Sequence, residues 1–176
     1  MAVLAVDWRV RDASFPDEAV AFIVRRHRTA AEERIGSLGG LSSEAESSPL
    51  VAVFDGPDAR GRALAALEAA RAILDRDSPT DTSPEVRTSA AISVGRAQVG
   101  STRVTTAGAP RWVFGAKGEP VDRASSLVRA APAGAVLVAD DAAALISDRF
   151  TLEPVGDGAY RLVAVTTGAE DEAGAP

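Results

Sequence analysis

Residues 86–100, VRTSAAISVGRAQVG, open the stretch whose reading decides how this chain folds. After a turn-rich run come RWVFG (111–115), GEPVDRASSLVRA (118–130), AVLVA (135–139), DDAAALI (140–146), FTLEPVG (150–156) and AYRLVAV (159–165). Partial alternation over Val86–Val99 predicts one long strand. The small residues of Ser101–Pro110 predict a loop. From Gly118 to Ala130, Val121, Ala124, Leu127 and Val128 recur at helical spacing and mark an inward face. Val136-Leu137-Val138 is continuously apolar, as a buried strand requires. A helix follows at once, and then a closing strand pair.

Working back toward the N-terminus, Ala2–Val6 is another apolar run, a strand that Asp7 ends. Ser14 offers a cap and Pro16 a first-turn proline, with Asp17 and Glu18 near the positive helix end. Val20, Ile23, Val24, His27, Ala31, Ile35 and Leu38 then predict an amphipathic helix over about 16–38, which Gly39-Gly40 stops. Leu41–Ser48 is small and polar, a poor strand by propensity. Pro49 introduces the apolar run Leu50–Phe54, and Asp55-Gly56-Pro57 is a turn. Residues 58–76 form the next helix, with Ala63, Leu64, Leu67, Ala70, Arg71 and Leu74 along one side and Arg71 the imperfection in that face. Asp75–Glu85 reads as a surface loop. The order β-α-(β)-β-α-β predicts an α+β fold with a ferredoxin-like βαββαβ core, two helices on one face of an antiparallel-rich sheet, and a C-terminal α/β extension. One domain over 1–167 is expected, with 168–176 (GAEDEAGAP) as an acidic disordered tail or linker.

The 176 residues suffice to bury a core, and 46% hydrophobic with 25% charged residues is ordinary for a soluble domain. Aromatics are only 5%, so Ala, Val and Leu must supply the packing. A net charge of -6 argues against general nucleic-acid binding. The absence of cysteine excludes disulfides, thiol nucleophiles and Cys-ligated metals. The N-terminal MAVLAVDWRV lacks the features of a signal peptide, and no apolar run approaches the ~20 residues of a spanning helix, so a cytoplasmic location is expected.

Gly95 and Gly100, the run Gly118-x-x-Val121-Asp122-x-Ala124-x-x-Leu127, Gly134 before Val136-Leu137-Val138, and Phe150-x-x-Glu153-Pro154-x-Gly156 follow one another in a telling order. That order resembles the second half of the class III adenylate/guanylate cyclase catalytic domain. The resemblance extends over residues 2–165 and is thinner before Leu50. It implies a head-to-tail dimer with the active site at its interface. A strand-end Asp and a second Asp in the next hairpin would hold two divalent ions on a nucleoside triphosphate, because gathered phosphate charge needs hard cations held by carboxylates. A Lys and an Asp would select the base, and an Asn and an Arg would steady the ribose and the transition state.

Carried over residue by residue, most of this chemistry is missing. Asp7 matches the first metal position. The second falls on Ser48, a neutral and weak ligand, and Ser42–Leu50 contains no Asp. The base-reading Lys falls on Glu44, and the second base-selecting position falls near Gly115, with Lys117 close by. The Asn aligns with Asp122 and the Arg, four residues on, with Ser126. Losing one such group commonly costs a factor of about 10²–10³ in rate.

A catalytically degenerate cyclase-like domain acting as a dimerisation or regulatory module is therefore the leading expectation, with Asp7 at most a vestigial metal ligand. Its expected partner is a second copy or a related cyclase-like domain, paired through the sheet and the loops around Trp112. No cofactor is expected. Two alternatives remain: nucleotide sensing without turnover in a vestigial cleft of Glu44, Gly115, Lys117 and Asp122, with Lys117 or Arg123 as a contact; and, ranked last, a cyclase with unorthodox ligands such as Glu44, Glu46 or Asp122, which would need Mg²⁺ or Mn²⁺ with a nucleotide. His27, the only histidine, has no nucleophile partner and reads as packed rather than catalytic. Trp8 and Trp112 read as core or as dimer surface.

Overall fold

The computed structural model describes residues 1–10, 16–43, 49–77, 86–106 and 109–165. In chain order these form β1 (Ala2–Val10), α1 (Asp17–Ser37), β2 (Gly40–Ser42), β3 (Leu50–Phe54), α2 (Ala59–Arg76), β4 (Val86–Val94), β5 (Gln98–Thr106), β6 (Ala109–Lys117), α3 (Glu119–Ala130), β7 (Val136–Ala139), α4 (Asp140–Ile146), β8 (Phe150–Gly156) and β9 (Ala159–Val165). Seven strands make one sheet in the order β2-β3-β1-β4-β7-β9-β8, and β5 and β6 form a separate hairpin. β1 lies between β3 and β4, antiparallel to both, which is the ferredoxin-like arrangement. β7 joins β4 in parallel, and β8–β9 completes the C-terminal extension.

The alternation of β1 divides the core. Ala2, Leu4, Val6 and Trp8 face a cluster with Ala31 and Ile35 of α1, Ala63, Ala66, Leu67, Ala70 and Ile73 of α2, and Ile146 of α4. Val3 and Ala5 face the other way, against Val121, Ala124 and Val128 of α3. Alanine-rich helices approach the sheet closely, so a chain poor in aromatics still excludes water. Gly40 shows how tight this is: a Cβ there would lie 2.6 Å from Ile35 Cγ2 and 2.7 Å from Phe54 Cζ. At Gly118 the backbone has φ 131°, and a Cβ would come within 3.1 Å of the Arg96 carbonyl. Glycine is what allows α3 to start there.

Several sequence expectations need correction. β1 does not end at Asp7; it pairs with β4 through Val10, with Asp7 opposite Ser89. The expected strand 86–99 breaks at Gly95, whose N–H bonds the Met1 carbonyl at 3.0 Å. The expected loop 101–110 is mostly strand, with 107–108 outside the described residues: Gln98 to Thr106 pair antiparallel with Lys117 to Ala109. Its Val and Thr residues suit a pleated ribbon better than their small neighbours suggested. Trp112 stands on β6, the strand that the apolar run RWVFG predicts, and the expected loop beside it is the paired strand β5. On α2 the expected Ala63, Leu67 and Ala70 are buried and Arg71 is exposed, and Ala66, Ala69 and Ile73 widen the buried face. Residues 40–42 do pair, as a short edge strand on β3. Pro16 occupies the N-cap of α1 with no side-chain cap bond. Ser14, Glu44, Glu46, Ser48, most of the 75–85 segment and the 168–176 tail lie outside the described residues. Among the described residues no helix is long and apolar enough to cross a membrane.

Candidate functional site

Asp7 sits on the α3 side of β1, with its side chain 12% exposed. Two residues on, and on the same side by strand alternation, Arg9 places its Nε 3.3 Å from Asp7 Oδ2. Arg9 Nη2 also donates to the carbonyls of Arg129, at 2.7 Å, and Val128, at 3.3 Å. These are the last carbonyls of α3, so Arg9 ties the strand to that helix's C-terminal end.

Asp122 and Ser126 are both exposed, one turn apart on the solvent side of α3, opposite Val121, Ala124 and Val128. Their neighbour Arg123 is engaged elsewhere. Its guanidinium donates to Asp140 Oδ1 and to the Gly158 carbonyl, both at 2.9 Å, joining α3 to the start of α4 and to the β8–β9 turn. Gly115 pairs with Gly100 within the β5–β6 hairpin, and exposed Lys117 pairs with Gln98 at its base. Ser43 Oγ donates to the Phe114 carbonyl at 3.3 Å, fixing the hairpin to the end of β2. Glu44 and Ser48, which would follow from that point, are outside the described residues. The structure thus gathers Asp122 and Ser126 on one helix face and leaves Asp7 beside the far end of that helix. Among the described residues no three His, Asp or Glu side chains come together as a metal ion would need.

The most tightly bonded polar group was not foreseen. Asp77, just past α2, is buried and accepts from Trp8 Nε1 at 2.9 Å and Thr88 Oγ1 at 2.8 Å, while His27 Nδ1 lies 2.7 Å from its other oxygen. A lone Asp within DRDSPTDTSPE carries no signal that separates it from its polar neighbours. Only the helical count from Asp58 places it at the end of α2.

No family model matches the chain, and no curated protein matches its sequence. Solved structures do. The adenylyl cyclase CyaB from P. aeruginosa superposes with a TM-score of 0.69 at 19% identity, over 97% of this chain and 95% of that one. A dimeric guanylyl cyclase domain of the RhoGC fusion protein from the aquatic fungus Blastocladiella emersonii gives 0.71 at 14%, over 93% and 94%. The chain has the class III nucleotide cyclase fold. A third example of this cyclase fold, the guanylate cyclase domain of RhGC from Catenaria anguillulae in complex with GTP, gives 0.66 at 14%, over 93% and 97%. The cyclase fold accounts for the seven-stranded sheet, the separate hairpin and α3 on the opposite face from α1 and α2.

Proposed function

We propose that this cyclase-fold domain does not turn over nucleotide and works as a dimerisation or regulatory module. The observation that carries this is the solvent face of α3. It presents a carboxylate at Asp122 and a hydroxyl at Ser126 where the resemblance calls for an amide and a guanidinium. Cyclisation would build negative charge there, and fixed donors aimed at such charge are the largest single source of rate. Arg123 does not substitute, because Asp140 and the Gly158 carbonyl already hold it.

The hairpin supports the pairing half of the proposal. By strand alternation Trp112 shares a face with Phe114 and Ala116, and with Val99 across the ribbon. Phe114 and Ala116 pack on the α3-side core, whereas Trp112 is 67% exposed. The same apolar face therefore runs from sealed core to open solvent, and a large exposed aromatic is the residue type that anchors interfaces.

Sedimentation velocity across a concentration series tests the pairing. The expected result is a reversible dimer, weakened roughly tenfold or more by Trp112→Ser. A chain that stays monomeric throughout, or a dimer indifferent to that substitution, would remove Trp112 as the anchor. Calorimetric titration with ATP and GTP, each with Mg²⁺ or Mn²⁺, separates a silent module from one that binds nucleotide without converting it.

A further inference from the structure

The fold family implies a divalent ion at Asp7, and the described residues do not fit one. They offer no set of three His, Asp or Glu ligands, and Asp7 Oδ2 already faces a guanidinium at 3.3 Å. A cation placed on that oxygen would lie within a few ångströms of Arg9, and like charges at such range repel strongly at a partly buried site.

We propose instead that Asp7 is the anchor of an arginine latch that fixes the C-terminal end of α3 to β1. The last carbonyls of a helix have no intrahelical partner and carry the negative end of its dipole. Arg9 supplies both the donor and the positive charge, through its bonds to Arg129 and Val128. Asp7 takes the Nε of the same planar group, so the fork is pre-organised between a carboxylate and a helix terminus. Ser89 on β4, opposite Asp7 in register, adds a long 3.5 Å contact from its Oγ to the Val128 carbonyl. Asp7 and Arg9 are positioning residues for α3, the helix that carries Asp122 and Ser126. This deepens the proposed function, resting on it only in taking Asp7 as free of a metal role.

The test is a double-mutant cycle with Asp7→Asn and Arg9→Gln, read by urea unfolding and by amide exchange in the last turn of α3, with and without Mn²⁺. Each single variant should lower the folding equilibrium constant several-fold and speed exchange at 128–131. The double variant should cost no more than the worse single one, because the second change finds the latch already open. Arg9→Lys, which keeps the charge without the fork, should fall between wild type and Arg9→Gln and serves if Asp7→Asn fails to fold. Additive losses with no Mn²⁺ effect would overturn the latch alone. Stabilisation of the wild type by Mn²⁺ that disappears in Asp7→Asn would overturn the latch and the metal-free reading of Asp7 together.

Discussion

The Nδ1 of His27 lies 2.7 Å from Oδ1 of Asp77, bringing the middle of α1 to the end of α2 across fifty residues of sequence. The other oxygen of Asp77 serves Trp8 on β1 and Thr88 on β4. One buried carboxylate thus joins two strands to α1 and α2 on one face of the sheet. Asp77→Ala would strand the buried donors and is expected to cost about 3–5 kcal/mol in urea unfolding, the range for breaking a buried charged network. Thr88→Val removes a single donor and should cost about 1 kcal/mol. Equal, small losses for both would show that the carboxylate does not organise the cluster.

Gly40→Ala should destabilise by overpacking. The new methyl would stand 2.6 Å from Ile35 Cγ2 and 2.8 Å from Phe54 Cε1, both buried. A loss of about 1–3 kcal/mol is expected, and Phe54→Leu in the same chain should recover part of it. No loss in the single variant would mean that β2 lies farther from α1 than described.

The two tryptophans should separate cleanly by quenching. Trp8 is 8% exposed and Trp112 67% exposed, so acrylamide should reach one emission component in the monomer and spare the other. Trp112→Ser should abolish the accessible component and change monomer stability by no more than about 0.5 kcal/mol. If raising protein concentration fails to shield Trp112 while a dimer forms, the interface lies elsewhere.

Arg60, in the first turn of α2, donates to Asp148 after α4, and this bond holds the Asp148 carboxyl below the usual carboxylate range. A depressed folded-state pKa contributes stability above the unfolded value and loses it as pH falls through the folded one. Its pH dependence is confined to the acidic range, and both side chains are solvent-exposed, so the effect on stability is small. Arg60→Ala should move the Asp148 titration upward in an NMR pH series. An unchanged titration would show that the pair does not persist in solution.

The core strands and the helices are legible in the sequence because each carries its own period. Ala2–Val6 and Val136–Val138 are apolar without interruption, and Val121, Ala124 and Val128 mark α3. The C-terminal reach of β1 was hidden because Asp7 and Arg9 satisfy one another on a face that pattern reading expects to be apolar. β5 was hidden because GSTRVTT is small and turn-like in composition, and only pairing with β6 makes it a strand. Along α2 the expected Ala63, Leu67 and Ala70 are buried and Arg71 is exposed, while Ala66, Ala69 and Ile73 widen the buried face because alanines lie all round the helix. At the candidate site, the four-residue spacing of Asp122 and Ser126 places them on one face of α3, and their correspondence to an Asn and an Arg rests on the resemblance alone. Asp77 was not, because its three partners come from β1, α1 and β4, and only the folded sheet brings them together.

The most direct test of the central claim is incubation of the purified chain with ATP or GTP and Mn²⁺, followed by chromatography for cyclic nucleotide. The account predicts no cyclic product above the protein-free control, with either nucleotide. Cyclic product that vanishes in Asp7→Asn would contradict it, and would mean that Asp122 and Ser126 support chemistry that their charges oppose.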